Sequence, residues 1–204
     1  MSYEWYYRKD GALAIAYFHK DIKDFIESLV ADEVVATVAA TAYQTFAITR
    51  PRNAREARID GLTFAWTHSF RNGLGFQANY TKVDSDVSTV AAAGTTFAVP
   101  GISDTANLVV FYEKKGFGAR VAYNWRDAFL AQPNYGGTTE PRYYEPYHQI
   151  DARLSYGFKS GTVIALEGVN LTDEQVLTHG RYANEFISYA DYGRRMTLSV
   201  SQKF

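Results

Sequence analysis

The sequence predicts an all-β protein: an antiparallel meander of about nine long strands that forms part of a large transmembrane β-barrel. Three observations predict it. Segment after segment alternates apolar and polar residues with a period of two, as a strand with one apolar face does. Short polar turns containing Gly alternate with much longer connections, the asymmetry of barrels with short periplasmic turns and long external loops. Aromatics reach 16%, with 16 Tyr and 13 Phe, and they gather near strand ends as interfacial girdles do. No run approaches the ~18 apolar residues of a transmembrane helix. The mean hydropathy of -0.27 suits a barrel, because half of its strand residues face a polar lumen.

The strands fall at approximately 2–8, 12–27, 44–70, 74–85, 104–114, 117–128, 147–158, 162–171 and 192–203. Residues 12–27 place apolar groups on both parities, Ile15 and Tyr17 against Ala16 and Phe18. The stretch 44–70 exceeds the roughly 9–11 residues a spanning strand needs. It contains Pro51, which cannot donate to a ladder, so its first half reads as a strand extension or bulge on the loop side. The run Val30–Ala42 reads as loop or strand extension rather than helix. Leu62, Phe64, Trp66 and Phe70 oppose Thr63, Ala65, Thr67 and Ser69, and Leu74, Phe76, Ala78 and Tyr80 oppose Gly75, Gln77, Asn79 and Thr81. Residues 104–114 are mixed through Val109, Val110, Phe111 and Tyr112. Alternation is clean again from Phe117 to Arg126 and from Gln149 to Phe158. At the end of the chain Met196, Leu198, Val200 and Phe204 oppose Thr197, Ser199, Ser201 and Lys203. The short turns are Lys9-Asp10-Gly11, Arg71-Asn72-Gly73, Lys114-Lys115-Gly116 and Lys159-Ser160-Gly161, where Gly accepts positive φ. The long connections are residues 29–43, 85–103, 129–146 and 172–192.

A net charge of -1 gives no argument for nucleic acid as a partner. The absence of Cys excludes disulfide frameworks and Cys-based metal or nucleophile sites. His19, His68, His148 and His179 are scattered, with no carboxylate or second His at ligand spacing. Asp84-Ser-Asp86 lacks the further acidic ligands of a calcium loop, and no Ser carries a nucleophile-elbow context. The chain reads as a non-enzyme with no cofactor and no metal site.

Two groups of residues invite function. Arg120, Asn124, Arg126, Asp151 and Arg153, with Gln77, Asn79 and Lys203, share the polar parity. An Arg or Lys facing lipid costs roughly 2–4 kcal/mol at midplane, so these residues face the lumen, where they line a hydrated wall or meet a plug. The second group is on the external loops: Tyr135, Arg142, Tyr143, Tyr144, His179, Arg181 and Tyr182. Their hydrogen bonds and rings suit an anionic or aromatic ligand on a rigid scaffold, or packing among the loops.

Nine strands put the two ends of the meander on opposite sides, whereas single-chain bacterial barrels have even strand numbers. Open edges also leave unpaired backbone groups in lipid. Met1–Tyr7 lacks a signal-peptide pattern. The chain is therefore expected to be a C-terminal part of a larger exported protein.

Residues 11–27 (Gly-Ala-Leu-Ala-Ile-Ala-Tyr-Phe-His-Lys-Asp-Ile-Lys-Asp-Phe-Ile-Glu), Ala57-Arg-Ile-Asp-Gly61, Ala119-Arg-Val-Ala-Tyr-Asn-Trp-Arg-Asp127, Asn170-Leu-Thr-Asp-Glu174 and Tyr192 through Phe204 together resemble the C-terminal barrel region of TonB-dependent outer-membrane receptors. Thr63 stands where that family usually has an acidic residue. The resemblance implies a location in the cell outer membrane and a 22-stranded plugged barrel. It also implies surface capture of a nutrient such as an iron-siderophore, and import driven through TonB. The implied partners are outer-membrane lipid, the plug domain of the same protein, the TonB complex, a small-molecule or metal-chelate ligand, and the barrel-assembly machinery, with Phe204 as the assembly signal. A passive pore or small barrel, and a soluble ligand-binding β-barrel, stand as alternatives.

Overall fold

The computed structural model describes residues 1–24, 26–36, 43–53, 56–88, 99–138 and 140–203. Nine strands form one antiparallel sheet: β1 (Ser2–Arg8), β2 (Gly11–Lys23), β5 (Glu56–Ser69), β6 (Leu74–Ser88), β7 (Thr105–Lys114), β8 (Phe117–Arg126), β11 (Tyr147–Gly157), β12 (Thr162–Val169) and β15 (Arg195–Gln202). They pair in that order, so β1 and β15 are its free edges. The expected meander is present, and the sheet is open.

The connections expected at 29–43, 129–146 and 172–192 carry strands of their own. β3 (Ile26–Ala36) and β4 (Tyr43–Asn53) make a separate hairpin. β9 (Phe129–Gln132), a 3₁₀ turn at Tyr135–Gly137, β10 (Arg142–Tyr144), β13 (Gln175–His179) and β14 (Phe186–Asp191) follow. These last four strands form a second sheet in the order β14-β13-β10-β9. The stretch 44–70 is therefore not one extended strand: β4 pairs with β3, and β5 belongs to the main sheet. Pro51 lies on β4, which pairs on one side only, the edge-strand setting to which Pro is confined in sheets. Val30–Ala36 is strand, and residues 37–42 lie outside those described.

Register keeps like with like. Trp5, Leu13, Trp66, Ala78, Leu108, Tyr123 and Ile150 stand opposite one another in succession across seven strands. One step along, the row reads Glu4, Ala14, Ala65, Asn79, Asn107, Asn124 and Gln149. Since opposed residues share a face, the sheet has one apolar and one polar side. The mixed strand β7 resolves in the same way. Leu108, Val110 and Tyr112 join the apolar side, while Phe111 crosses to the polar side and lies over Gly75, where a Cβ would clash with its ring.

Among the described residues the apolar side packs against no second layer. Leu108, Val121 and Leu154 are 43%, 48% and 51% exposed. A soluble sandwich would bury these residues between sheets. Two features bound the apolar band. At the short-turn end lies an aromatic belt: Trp5 contacts Tyr7, Tyr7 stacks on His68, His68 meets Phe70 and Phe76, Tyr112 meets Phe117, and Tyr156 meets Phe158. Within it the Trp66 indole N–H donates to the Tyr7 hydroxyl at 2.9 Å, and that hydroxyl bonds His68 Nδ1 at 2.9 Å. Gly11 lies under the Tyr7 ring, which leaves no room for a Cβ; the space, rather than a positive φ, calls for Gly there. Positive φ does serve the turns at Gly73 (98°), Gly116 (84°) and Gly161 (85°).

At the loop end the two sides exchange character. On the apolar parity Leu13, Ile15 and Tyr17 give way to His19 and Asp21, and Trp66, Phe64 and Leu62 give way to Asp60 and Arg58. Phe76, Ala78 and Tyr80 give way to Lys82 and Asp84. The opposite side there buries Ala57 and Ile59. The mixed parity of residues 12–27 is this exchange seen in sequence. From Leu62 to Phe70 the band is about nine residues long, close to the roughly 9–11 that a tilted membrane strand uses.

Candidate functional site

The polar side of the main sheet carries the lumen candidates. Asn79, Asn107, Asn124 and Gln149 line up across β6, β7, β8 and β11, and Asn107 Nδ2 donates to Asn79 Oδ1 at 2.8 Å. Asn107 was missed in sequence because its strand looked mixed. Below this amide row, Arg120 and Arg153 stand directly opposite each other, an unfavourable juxtaposition of like charge. Glu167 opposes Arg153 on the next strand and reaches it at 3.5 Å. Arg120 has no carboxylate within ion-pairing distance among the described residues. Arg120, Ala122, Asp151, Arg153 and Glu167 line a shallow depression of about 280 Å³.

Asp151 is engaged within the protein. Its Oδ1 accepts from Gln149 Nε2 at 2.6 Å and from the Asn170 backbone N–H at 2.9 Å. Asn170 is 4% exposed and left-handed, with φ 55°, a conformation Asn tolerates better than most residues. Its amide donates to the carbonyls of Glu174 and Gly193 and accepts from the Glu174 N–H. One residue thus ties β11, the turn after β12 and the approach to β15.

The loop sheet divides the seven external candidates into groups. Arg142 and Tyr144 share a side of β10, where Phe129 stands opposite Tyr144 and stacks on it at 5.0 Å. The Arg142 guanidinium lies over the rings of Tyr135 (4.9 Å) and Tyr144 (5.4 Å). Arg126, at the end of β8, lies over Phe129 (4.4 Å) and Tyr144 (5.7 Å). Arg126 shares its parity with Asn124 and Arg120, so this cluster continues the polar side. Tyr143 and His179 stack together on the other side of β10; His179 bonds the Gly180 carbonyl and faces Glu145 at 3.6 Å. Arg181 pairs with Glu140 at 3.1 Å, and Tyr182 is exposed. Phe204 lies outside the described residues. The cluster joins Arg126, a lumen candidate, to the loop candidates Tyr135, Arg142 and Tyr144, and adds Phe129, whose only mark in sequence is that it is an aromatic near Arg126.

Beyond the apolar band, His19 accepts a tight network. Its ring bonds Asp60 at 2.6 Å and Asp21 at 3.2 Å. These bonds, Asp60 first, raise the His19 pKa above its ordinary 6.5. The same ring, aided by Tyr17, lowers Asp60, and with Arg58 it lowers Asp21. Burial opposes ionisation of Asp104, yet its bonds from the Val83 N–H, Lys82 and Tyr80 outweigh that and lower its pKa. Among the described residues no group of His, Asp and Glu has the arrangement of a metal site.

Residues 2–171 match the family model described as TonB dependent receptor-like, beta-barrel. The fold is similar to the crystal structure of the siderophore receptor PiuA from Acinetobacter baumannii, with a TM-score of 0.65 and 18% identity over 97% of this chain and 27% of that one. It is also similar to the siderophore receptor PirA from the same organism, with a TM-score of 0.63 and 16% identity over 97% of this chain and 30% of that one. The chain thus spans less than a third of the length of either receptor. Among curated protein sequences none matches.

Proposed function

The chain belongs to the TonB-dependent receptor β-barrel family, and from that membership we propose that it is barrel wall of an outer-membrane active-transport receptor. The observation that carries the reading is the one-layer sheet whose apolar side is exposed among the described residues while its polar side holds Arg120, Arg126, Arg153 and the amide row. In this reading the apolar band faces lipid, the aromatic belt sits at the periplasmic interface, and the polar side faces the lumen. Further strands pair with the β1 and β15 edges, because unpaired backbone groups are not tolerated in lipid. The barrel-assembly machinery inserts the wall, and a plug domain fills the lumen. Arg120, which pairs with no carboxylate among the described residues, meets an acidic group of that plug. The loop cluster lies at the outer mouth, where a nutrient such as an iron-siderophore is captured before TonB-coupled import.

The reading is tested by uptake of radiolabelled iron-siderophores in cells with and without the gene, each with the energy-coupling complex intact or deleted. Uptake that requires both is expected. Gene-dependent entry that persists without energy coupling would instead identify a passive pore.

A further inference from the structure

We propose that Arg126 and Arg142, both held against the Tyr144 ring, form a two-guanidinium site for an oxyanion, carboxylate or phosphate, at the loop end of the polar side. The inference deepens the reading above, since it takes that side as the inside of the barrel mouth.

Charge and burial together single out these two residues. Arg50, Arg58, Arg153, Arg181 and Arg194 each have a carboxylate within 4 Å. Arg126 and Arg142 have none among the described residues. Among the described residues the one side-chain bond of Arg142 runs from Nη2 to the neutral Ser188 hydroxyl at 3.3 Å. The carboxylates nearest in sequence are engaged elsewhere: Asp127 accepts from the Ala128 N–H at 2.8 Å, Glu140 pairs with Arg181, and Glu145 faces His179. Aromatic stacking fixes the planes of both guanidiniums and excludes water from their inner edges. Arg126 Nε and Arg142 Nε are buried with no acceptor among the described residues.

Half-buried cations without counter-charge are costly, and local rules are broken in this way at functional sites. The rings leave the Nη ends as the available donors. A guanidinium edge matches a carboxylate or phosphate in geometry and charge. Held in advance, the pair loses little side-chain entropy on binding. Arg120 lies further down the same side of β8, so the field along the wall attracts anions from the mouth inward.

The native protein, purified in detergent, is titrated calorimetrically with citrate and with pyrophosphate at low and high salt. Binding of at least one is expected, weakened by salt. The two anions separate carboxylate from phosphate preference. Arg126→Gln and Arg142→Gln are each expected to weaken binding by about tenfold or more. Arg194→Gln, a paired control, leaves it unchanged. Heat-modifiable gel mobility reports whether each variant is folded; should the Gln variants not fold, Arg142→Lys keeps charge and stem but loses the fork, and is expected to bind about tenfold more weakly. Binding of neither anion to the wild-type protein overturns the site, as does unaltered binding in the folded variants. Energy-dependent uptake that survives such a result leaves the receptor reading standing; energy-independent entry alongside anion binding refutes that reading and not the site.

Discussion

Val121→Arg lowers the stability of the membrane-inserted protein by about 2–4 kcal/mol, while Ala122→Arg leaves it nearly unchanged. Val121 stands between Val110 and Ala152 on the apolar side, near the middle of β8. A guanidinium there has lipid around it and no carboxylate to meet. Ala122 is the next residue, but it points to the polar side and stands opposite Asp151. A new Arg at 122 finds an acidic neighbour and a hydrated wall. Denaturant-induced unfolding in lipid vesicles measures both. A soluble protein with an inward apolar core would also suffer from Val121→Arg, so the informative control is the medium. The penalty should grow with distance from the bilayer interfaces, with Phe117→Arg costing less than Val121→Arg. Equal penalties along β8 would contradict the membrane account.

Asn170→Leu carries the second large effect. The substitution leaves the Glu174 N–H without its acceptor, and two carbonyls lose a donor in a buried setting. An unsatisfied buried polar group costs about 1–3 kcal/mol, and a left-handed backbone adds roughly 1–2 kcal/mol for a residue unlike Gly or Asn. A loss of roughly 3 kcal/mol is expected. It should concentrate where Asn170 acts, so amide exchange should accelerate in β15 and around Glu174 before it does in β5 or β6. Asn170→Gly tests the parts separately: it restores the backbone freedom but not the bonds, and should recover only the smaller share. Uniform acceleration across the sheet would mean that Asn170 is not the local tie described here.

The main sheet was readable because its strands are long, keep their period of two and end in turns with Gly at defined places. Residues 149–158 and 117–126 needed nothing more. The strands β9, β10, β13 and β14 escaped because three to six residues are too few to show a period, and because Pro133 and Gly136 punctuate the same segment. They hold one another rather than the main sheet, and such pairing leaves no local mark. The mixed parity of residues 12–27 and 104–114 had two different causes. In β2 the chain leaves the apolar band, so the sides exchange polarity at His19. In β7 Phe111 fills the space left by Gly75 on the polar side. That Arg120, Asn124, Arg126, Asp151 and Arg153 share one side was legible because strict alternation puts them on one parity of each strand. The association of Arg126 with Arg142 was not, since it depends on how β8, β9 and β10 come together. The Asn170 hub had a signal in Asn-Leu-Thr-Asp, yet its partners Asp151 and Gly193 lie far away in sequence.

The central claim is that one side of this sheet faces lipid and the other an aqueous lumen. Because the chain has no Cys, single cysteines carrying a spin label can be placed one at a time along Phe117–Arg126 in the native protein reconstituted in lipid vesicles. Relaxation by oxygen, which partitions into lipid, should peak at 119, 121 and 123. Relaxation by a water-soluble nickel chelate should peak at 120, 122 and 124. Opposite phases, or the same accessibility to both reagents at every position, would contradict the account.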